Sequence, residues 1–165
     1  MRRVYFSFDY ERDLHRVNKF RQLPGVIAGA AAGFQNATVW EKAKLRGDDA
    51  VHGLIKDGLN NTTVTVICVG HMTSYRKYVT YEIERSLERG NGLVGITINH
   101  LINDLGVVDP DGTVPPLLPI SGYKVYKYAD KRGLVTWIEE AAEIAAEQRQ
   151  HDYRRQGATR RREPE

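Results

Sequence analysis

The 165-residue chain has a single cysteine, so no disulfide can form within it. Cys68 lies inside the apolar run Val64-Thr65-Val66-Ile67-Cys68-Val69 and reads as a buried, inert thiol of a reducing compartment. One cysteine also excludes a Cys/His zinc set, and His15, His52, His71, His100 and His151 show no metal-ligand spacing, so no metal is expected. No run approaches the ~20 apolar residues of a membrane span. The apolar stretch behind Arg2 and Arg3 is far too short for a signal peptide, which predicts a soluble, cytoplasmic protein without a membrane partner. No Gly-x-Gly-x-x-Gly follows a strand-like run and no Walker lysine motif occurs, which excludes the usual dinucleotide and triphosphate cradles. A phosphoacceptor receiver needs an aspartate after the strand-like run 62–69, and this chain has Gly70-His71 there.

Charge of one sign is scarce outside the C-terminus. The net +3 comes from residues 149–165, where Arg149, Arg154, Arg155, Arg160, Arg161 and Arg162 face only Asp152, Glu163 and Glu165. Residues 1–148 are therefore balanced, and the basic signal belongs to a polar tail with no apolar stripe, read as a frayed, disordered, solvated terminus. Nucleic acid is not an expected partner. The expected organisation is one domain over 1–148 and the basic tail over 149–165.

What is present is a series of short, continuous apolar runs separated by helical patterns. Arg3 to Phe8 reads as a buried strand, and a helix is predicted from about Asp13 to Gln22, with Leu14, Val17 and Phe20 or Arg21 in step. Val26 to Val39, rich in Gly, Ala and small polar residues, reads as an irregular connection and a mobile loop over a site. A helix opening at Gly47-Asp48-Asp49 carries Val51, Leu54, Ile55 and Leu59 on one stripe. Thr62 to Val69 is the clearest strand, and Leu93 to Ile98 is another. Residues 103–122 hold four of the six prolines and form a long loop. Tyr123 to Tyr128 is an edge strand, and Leu134, Trp137, Ile138, Ala141 and Ala145 mark a closing amphipathic helix. Alternating strands and helices predict an α/β, three-layer, flavodoxin-like fold with a mostly parallel central sheet.

Within this pattern Glu82 stands out. Taking about 100° per residue, Val79, Ile83 and Leu87 define the buried stripe of its helix. Glu82 lies on one shoulder beside Tyr75, Tyr78 and Ser86, whereas Glu84 and Glu88 share the opposite shoulder with Lys77, Tyr81 and Arg85. Phe8 and Asp9 end the first strand, where the ligand crevice of a parallel sheet opens, and Tyr78 is one turn before Glu82. Trp40 follows the Gly/Ala segment and is taken with Phe8, Asp9 and Tyr78 as a wall of the substrate pocket, with a place in the core as its other reading.

Three stretches resemble the TIR-like family of bacterial Thoeris antiviral systems. Val4-Tyr5-Phe6-Ser7-Phe8-Asp9-Tyr10 is similar to the opening strand motif of TIR domains, in which an aromatic and its follower shape the pocket floor. Tyr78-Val79-Thr80-Tyr81-Glu82-Ile83 is similar to the helix start that carries the catalytic glutamate of NAD-cleaving TIR enzymes. Gly90-Asn91-Gly92-Leu93-Val94-Gly95-Ile96 matches the turn and strand that follow. The chain departs from many TIR domains in having Tyr78 for a tryptophan and Asp9 for a basic residue.

The resemblance implies that Glu82 is catalytic, that NAD is the substrate rather than a bound cofactor, and that the nicotinamide–ribose bond is cleaved. It implies a cyclic ADP-ribose isomer as product, signalling to a separate antiviral effector, with a phage-derived trigger and a homo-oligomer as further partners. One carboxylate suffices for such a cleavage because nicotinamide leaves as a neutral group, unlike the two-carboxylate arrangement of glycosidases. The rival expectations are a non-catalytic TIR-like interaction module and a receiver-like or nucleotide-binding module.

Overall fold

The computed structural model describes residues 2–20, 22–30 and 37–160. Its strands are β1 (Arg2–Phe8), β2 (Val26–Ala30), β3 (Val64–Val69), β4 (Gly92–Thr97) and β5 (Val125–Lys127). Its helices are α1 (Tyr10–Val17), α2 (Ala37–Arg46), α3 (Asp48–Leu59), α4 (Lys77–Glu88), the single turn α5 (Leu117–Ile120), and α6 (Lys131–Arg160). All strand pairs are parallel, in the order β2-β1-β3-β4-β5, which is the flavodoxin-like arrangement expected from the alternation of elements.

Period-two alternation divides the sheet between two cores. Val4, Phe6, Phe8, Val66, Cys68, Val94 and Ile96 pack with Val17, Phe20, Leu134 and Ile138 under α1 and α6. On the other face Tyr5 joins Val51, Ile55 and Leu59 of α3, and Ile67, Val69 and Leu93 join Val79 and Ile83 of α4. Helix α6 lies so close over β4 that a Cβ on Gly92 would stand 2.2 Å from the Ala141 carbonyl oxygen, so only glycine lets that helix seat.

The described coordinates correct three sequence expectations. The first helix begins at Tyr10 rather than Asp13 and ends in a 3-10 turn over Asn18–Phe20, with Asp13 and Arg16 buried beside Val17; Arg21 lies outside the described residues. The connection read as irregular over 26–39 contains β2, paired along β1, and the start of α2; Gly33 and its neighbours over 31–36 lie outside the described residues. Small residues carry no hydrophobic period, and β2 is specified by backbone pairing with β1. Of the tail read as frayed over 149–165, residues 149–160 continue α6, although Ala145 is its last buried residue, and residues 161–165 lie outside the described residues. Arg149 donates through Nη1 to the Gly90 carbonyl oxygen at 2.5 Å. Truncation after Gln148 is expected to leave a folded chain with a thermal midpoint within a few degrees of the full chain, since among the described residues it removes no buried side chain. A collapse of the melting transition would show that the exposed helix is needed for folding.

Candidate active site

The carboxyl ends of β1 and β3 lie at the topological switch point, because the chain leaves β1 for β2 on one side and later enters β3 on the other. A cleft of about 420 Å³ opens there, walled by Phe8 and Asp9 from the end of β1, Tyr10 and Glu11 from α1, Trp40 and Lys44 from α2, and residues 75–79 from the start of α4. All four residues expected to bind substrate therefore meet in one cleft. Trp40 is buried in the α2–α3 core and also lines the cleft. Its ring stands edge-on to Tyr78 at 5.7 Å and tilted against Tyr10 at 5.8 Å, an aromatic wall suited to a flat ring ligand. Tyr78 is held by donating its hydroxyl to Asp48 at the start of α3, 2.7 Å away.

Glu82 lies one turn deeper along α4, 3% exposed, and is not among the residues lining the cleft. Glu84 and Glu88 of the same helix are exposed, as the helical angles predicted. Tyr5 and Ser7, two apart on β1, project from one face of the strand and both reach the carboxylate. The Tyr5 hydroxyl donates to Oε1 at 2.7 Å and the Ser7 hydroxyl donates to Oε2. Burial pushes the Glu82 carboxyl up to about 7 against the two hydroxyl hydrogen bonds, which pull the other way. Burial, with the nearby Glu82 charge, also raises the Tyr5 phenol well above its ordinary range, so it remains a donor.

Asp9 is not free in the cleft. It is buried, and Arg76 donates to its Oδ2 from Nε at 2.9 Å. Lys44 bridges to Glu11 at 2.8 Å across the same mouth. Tyr10, Lys44 and Arg76 also line the cleft: Tyr10 opens α1 next to Asp9, Arg76 precedes α4, and Lys44 follows Trp40 by one turn of α2. The position after β3, where a receiver would carry its aspartate, is Gly70, and a Cβ there would stand 2.1 Å from Asp13 Oδ2, so any side chain would have to displace the Asp13 carboxylate. Groups of three or more residues able to hold a metal ion are absent among the described residues, and no described helix is long and apolar enough to cross a membrane.

A flavodoxin-like sheet with a buried glutamate beside an aromatic cleft at its switch point is the arrangement expected of a TIR-like domain. The sequence model of the family described as "Thoeris protein ThsB, TIR-like domain" matches residues 5–103, more than half of the chain, and the chain belongs to that family. It is also 40% identical over 116 residues to a Bacillus cereus (strain MSX-D12) protein named "Putative cyclic ADP-D-ribose synthase ThsB1". The aligned stretch covers 69% of this chain and 60% of that relative, so the chain spans about three fifths of the relative's length.

Proposed function

We propose that this domain cleaves NAD at the nicotinamide–ribose bond and closes the remaining ADP-ribose into a cyclic isomer that signals to an antiviral effector. The observation that carries the proposal is Glu82, a carboxylate buried against two hydroxyls beneath an aromatic cleft at the switch point. The aromatic wall of Trp40, Tyr10 and Tyr78 supplies a surface for the nicotinamide or adenine ring and excludes water from the reacting carbon. When the C–N bond breaks, its electron pair leaves with neutral nicotinamide and the positive charge moves onto the ribose as an oxocarbenium ion. An ionised Glu82 stabilises that charge, more strongly in a dry site than in water. A nucleophilic atom elsewhere in the same ADP-ribose then attacks the cationic carbon, and any proton it releases passes to solvent. NAD acts as substrate, and no resident cofactor takes part. The relative's printed name supports the same reading.

The test is direct: purified chain is incubated with NAD, and nicotinamide and the nucleotide products are resolved by chromatography and mass spectrometry. Nicotinamide with a cyclic product of ADP-ribose mass less one water is expected. Its absence at every protein concentration, with and without infected-cell extract, leaves the non-catalytic interaction module.

Turnover at rest is expected to be low. Glu82 lies under the cleft wall, so productive binding requires that wall to rearrange, and a trigger or second copy that favours the open arrangement raises the competent fraction. Raising the competent fraction from about one per cent to full occupancy increases the specific activity about a hundredfold. The measurement is specific activity against protein concentration and against added phage-infected extract; a flat, already high value contradicts this regulation.

A further inference from the structure

We infer that Tyr5 and Ser7 are positioning residues for the catalytic carboxylate: together they fix both oxygens of Glu82 and hold it in its ionised, reactive form inside an apolar site. The inference rests on the proposed catalytic role of Glu82. Both hydroxyls come from one strand, two residues apart, so β1 acts as a rigid two-pronged donor facing α4. Tyr5 is fully buried among Trp40, Val51, Ile55 and Leu59, and Ser7 is fully buried, so neither hydroxyl has bulk water as an alternative partner.

Other groups around the carboxylate do not take over this task. On α4, Ser86 donates to the Glu82 backbone carbonyl oxygen rather than to the carboxylate, and Arg85 is engaged with Tyr81 and Glu88. On α3, His52 stacks on Tyr81, and Asp48 is held by Lys77 and Tyr78. On β3, Cys68 is buried, and burial together with the Asp13 and Glu82 charges raises its thiol, so it stays neutral. Among the described residues the two hydroxyls are therefore the side-chain donors that meet the carboxylate. A neutral donor pair can favour the anion without quenching the negative charge that the transition state requires, as a salt bridge would.

Phenylalanine at position 5 keeps the ring packing and removes only the donor, and alanine at position 7 removes the other. Each of Tyr5→Phe and Ser7→Ala is expected to move the acid limb of the kcat/KM profile for NAD upward by about one to two pH units, the value of one hydrogen bond to a charged group. Activity near pH 7 then falls about fivefold or more and recovers towards pH 9, which a merely loosened fold would not do. Ser7→Thr, which retains the hydroxyl, restores the wild-type limb.

The Glu82 carboxyl is also titrated by carbon-13 NMR in the full-length wild type and in Tyr5→Phe, so that the midpoint is read even in a variant without turnover. An unchanged midpoint in both experiments overturns the inference and leaves the proposed catalysis standing. If instead Glu82→Gln cleaves NAD like the wild type, the catalytic reading itself fails.

Discussion

Glu82→Gln is expected to abolish the proposed NAD cleavage and, at pH 8, to make the protein more stable. The two effects share one cause. Glutamine has the shape of the glutamate and can accept from the Tyr5 and Ser7 hydroxyls, but it cannot offset the positive charge that develops on the ribose. Loss of a single preorganised electrostatic group costs on the order of 100- to 1000-fold in rate, and loss of the central charge costs at least that. The stability effect follows from burial. The Glu82 carboxyl is raised from 4.5 to about 7 by folding, so between those values the folded chain holds its proton more tightly than the unfolded chain does. Stability is therefore greatest below the unfolded value and declines as pH rises to about 7, above which the ionised, buried carboxylate costs about 3 kcal/mol. Glutamine removes that cost at pH 8 and gains little at pH 4.5. Thermal melts of wild type and variant at the two pH values, beside nicotinamide release, check both halves; a variant that still releases nicotinamide, or one equally destabilised at both pH values, contradicts the assignment. The neighbouring Glu84→Gln, on the exposed side of the same helix, is the matched control, with activity close to wild type.

The sequence made the strands legible where side chains carry the signal. β3 is an unbroken apolar run because both its faces are covered, and all six of its residues are buried. Glu82 was legible because helical geometry separates it from Glu84 and Glu88, and because its helix follows that strand directly. β2 and α2 were not legible. Along Val26–Ala30 small residues follow the first two, so its pairing is written in the backbone, and α2 buries only Trp40 and Ala43 while leaving Leu45 89% exposed. An amphipathic pattern is weak where a helix covers little core, and Trp40 alone signalled that the segment returns to the sheet. Residues 149–160 were not legible for the opposite reason: helix α6 propagates past its buried stripe, so that stretch has helical structure without buried side chains. Tyr10 and Arg76 were missed because they stand at the starts of α1 and α4, where no periodicity aims them, and Lys44 because α2, on which it follows Trp40 by one turn, was not legible.

Arg16→Met should destabilise the chain by about 3 to 5 kcal/mol, the largest loss expected from a residue outside the cleft. Arg16 is fully buried on α1, where an arginine at a helical position read as polar gave no sequence warning. Its Nη1 donates to Asp13 at 2.7 Å and to Asp109 at 2.8 Å, while Nε and Nη2 donate to the Leu101 and Val107 carbonyl oxygens at 2.7 and 3.2 Å. The Arg16 guanidinium thus ties the long loop after β4 to the first helix, with Arg12 Nη2 adding a longer, more exposed contact to Asp109 at 3.3 Å, and that loop holds Ile102, Leu105, Val107 and Val108 out in solvent. Asp13 depends on the same contact. It is buried, its Oδ2 has no hydrogen-bond partner, and burial raises its carboxyl despite the hydrogen bond and charge of Arg16. Methionine fills the volume but removes the cation that Asp13 and Asp109 share; Asp109 keeps Arg12, while Asp13 is left without its ion pair. Protonation then becomes the only relief for Asp13, whose folded pKa rises further above its unfolded value. The variant is consequently expected to lose less stability at pH 4 than at pH 8, whereas a simple packing defect costs the same at both. Pairing Arg16→Met with Asp13→Leu removes the orphaned charge and should recover part of the loss, since a buried ion pair is often replaceable by apolar groups while half of one is not. Thermal midpoints for the three variants at the two pH values decide it: the single change lowers the midpoint on the order of 10 °C at pH 8, and a drop that is small, or that ignores pH and the second substitution, shows that the loop is held by other contacts.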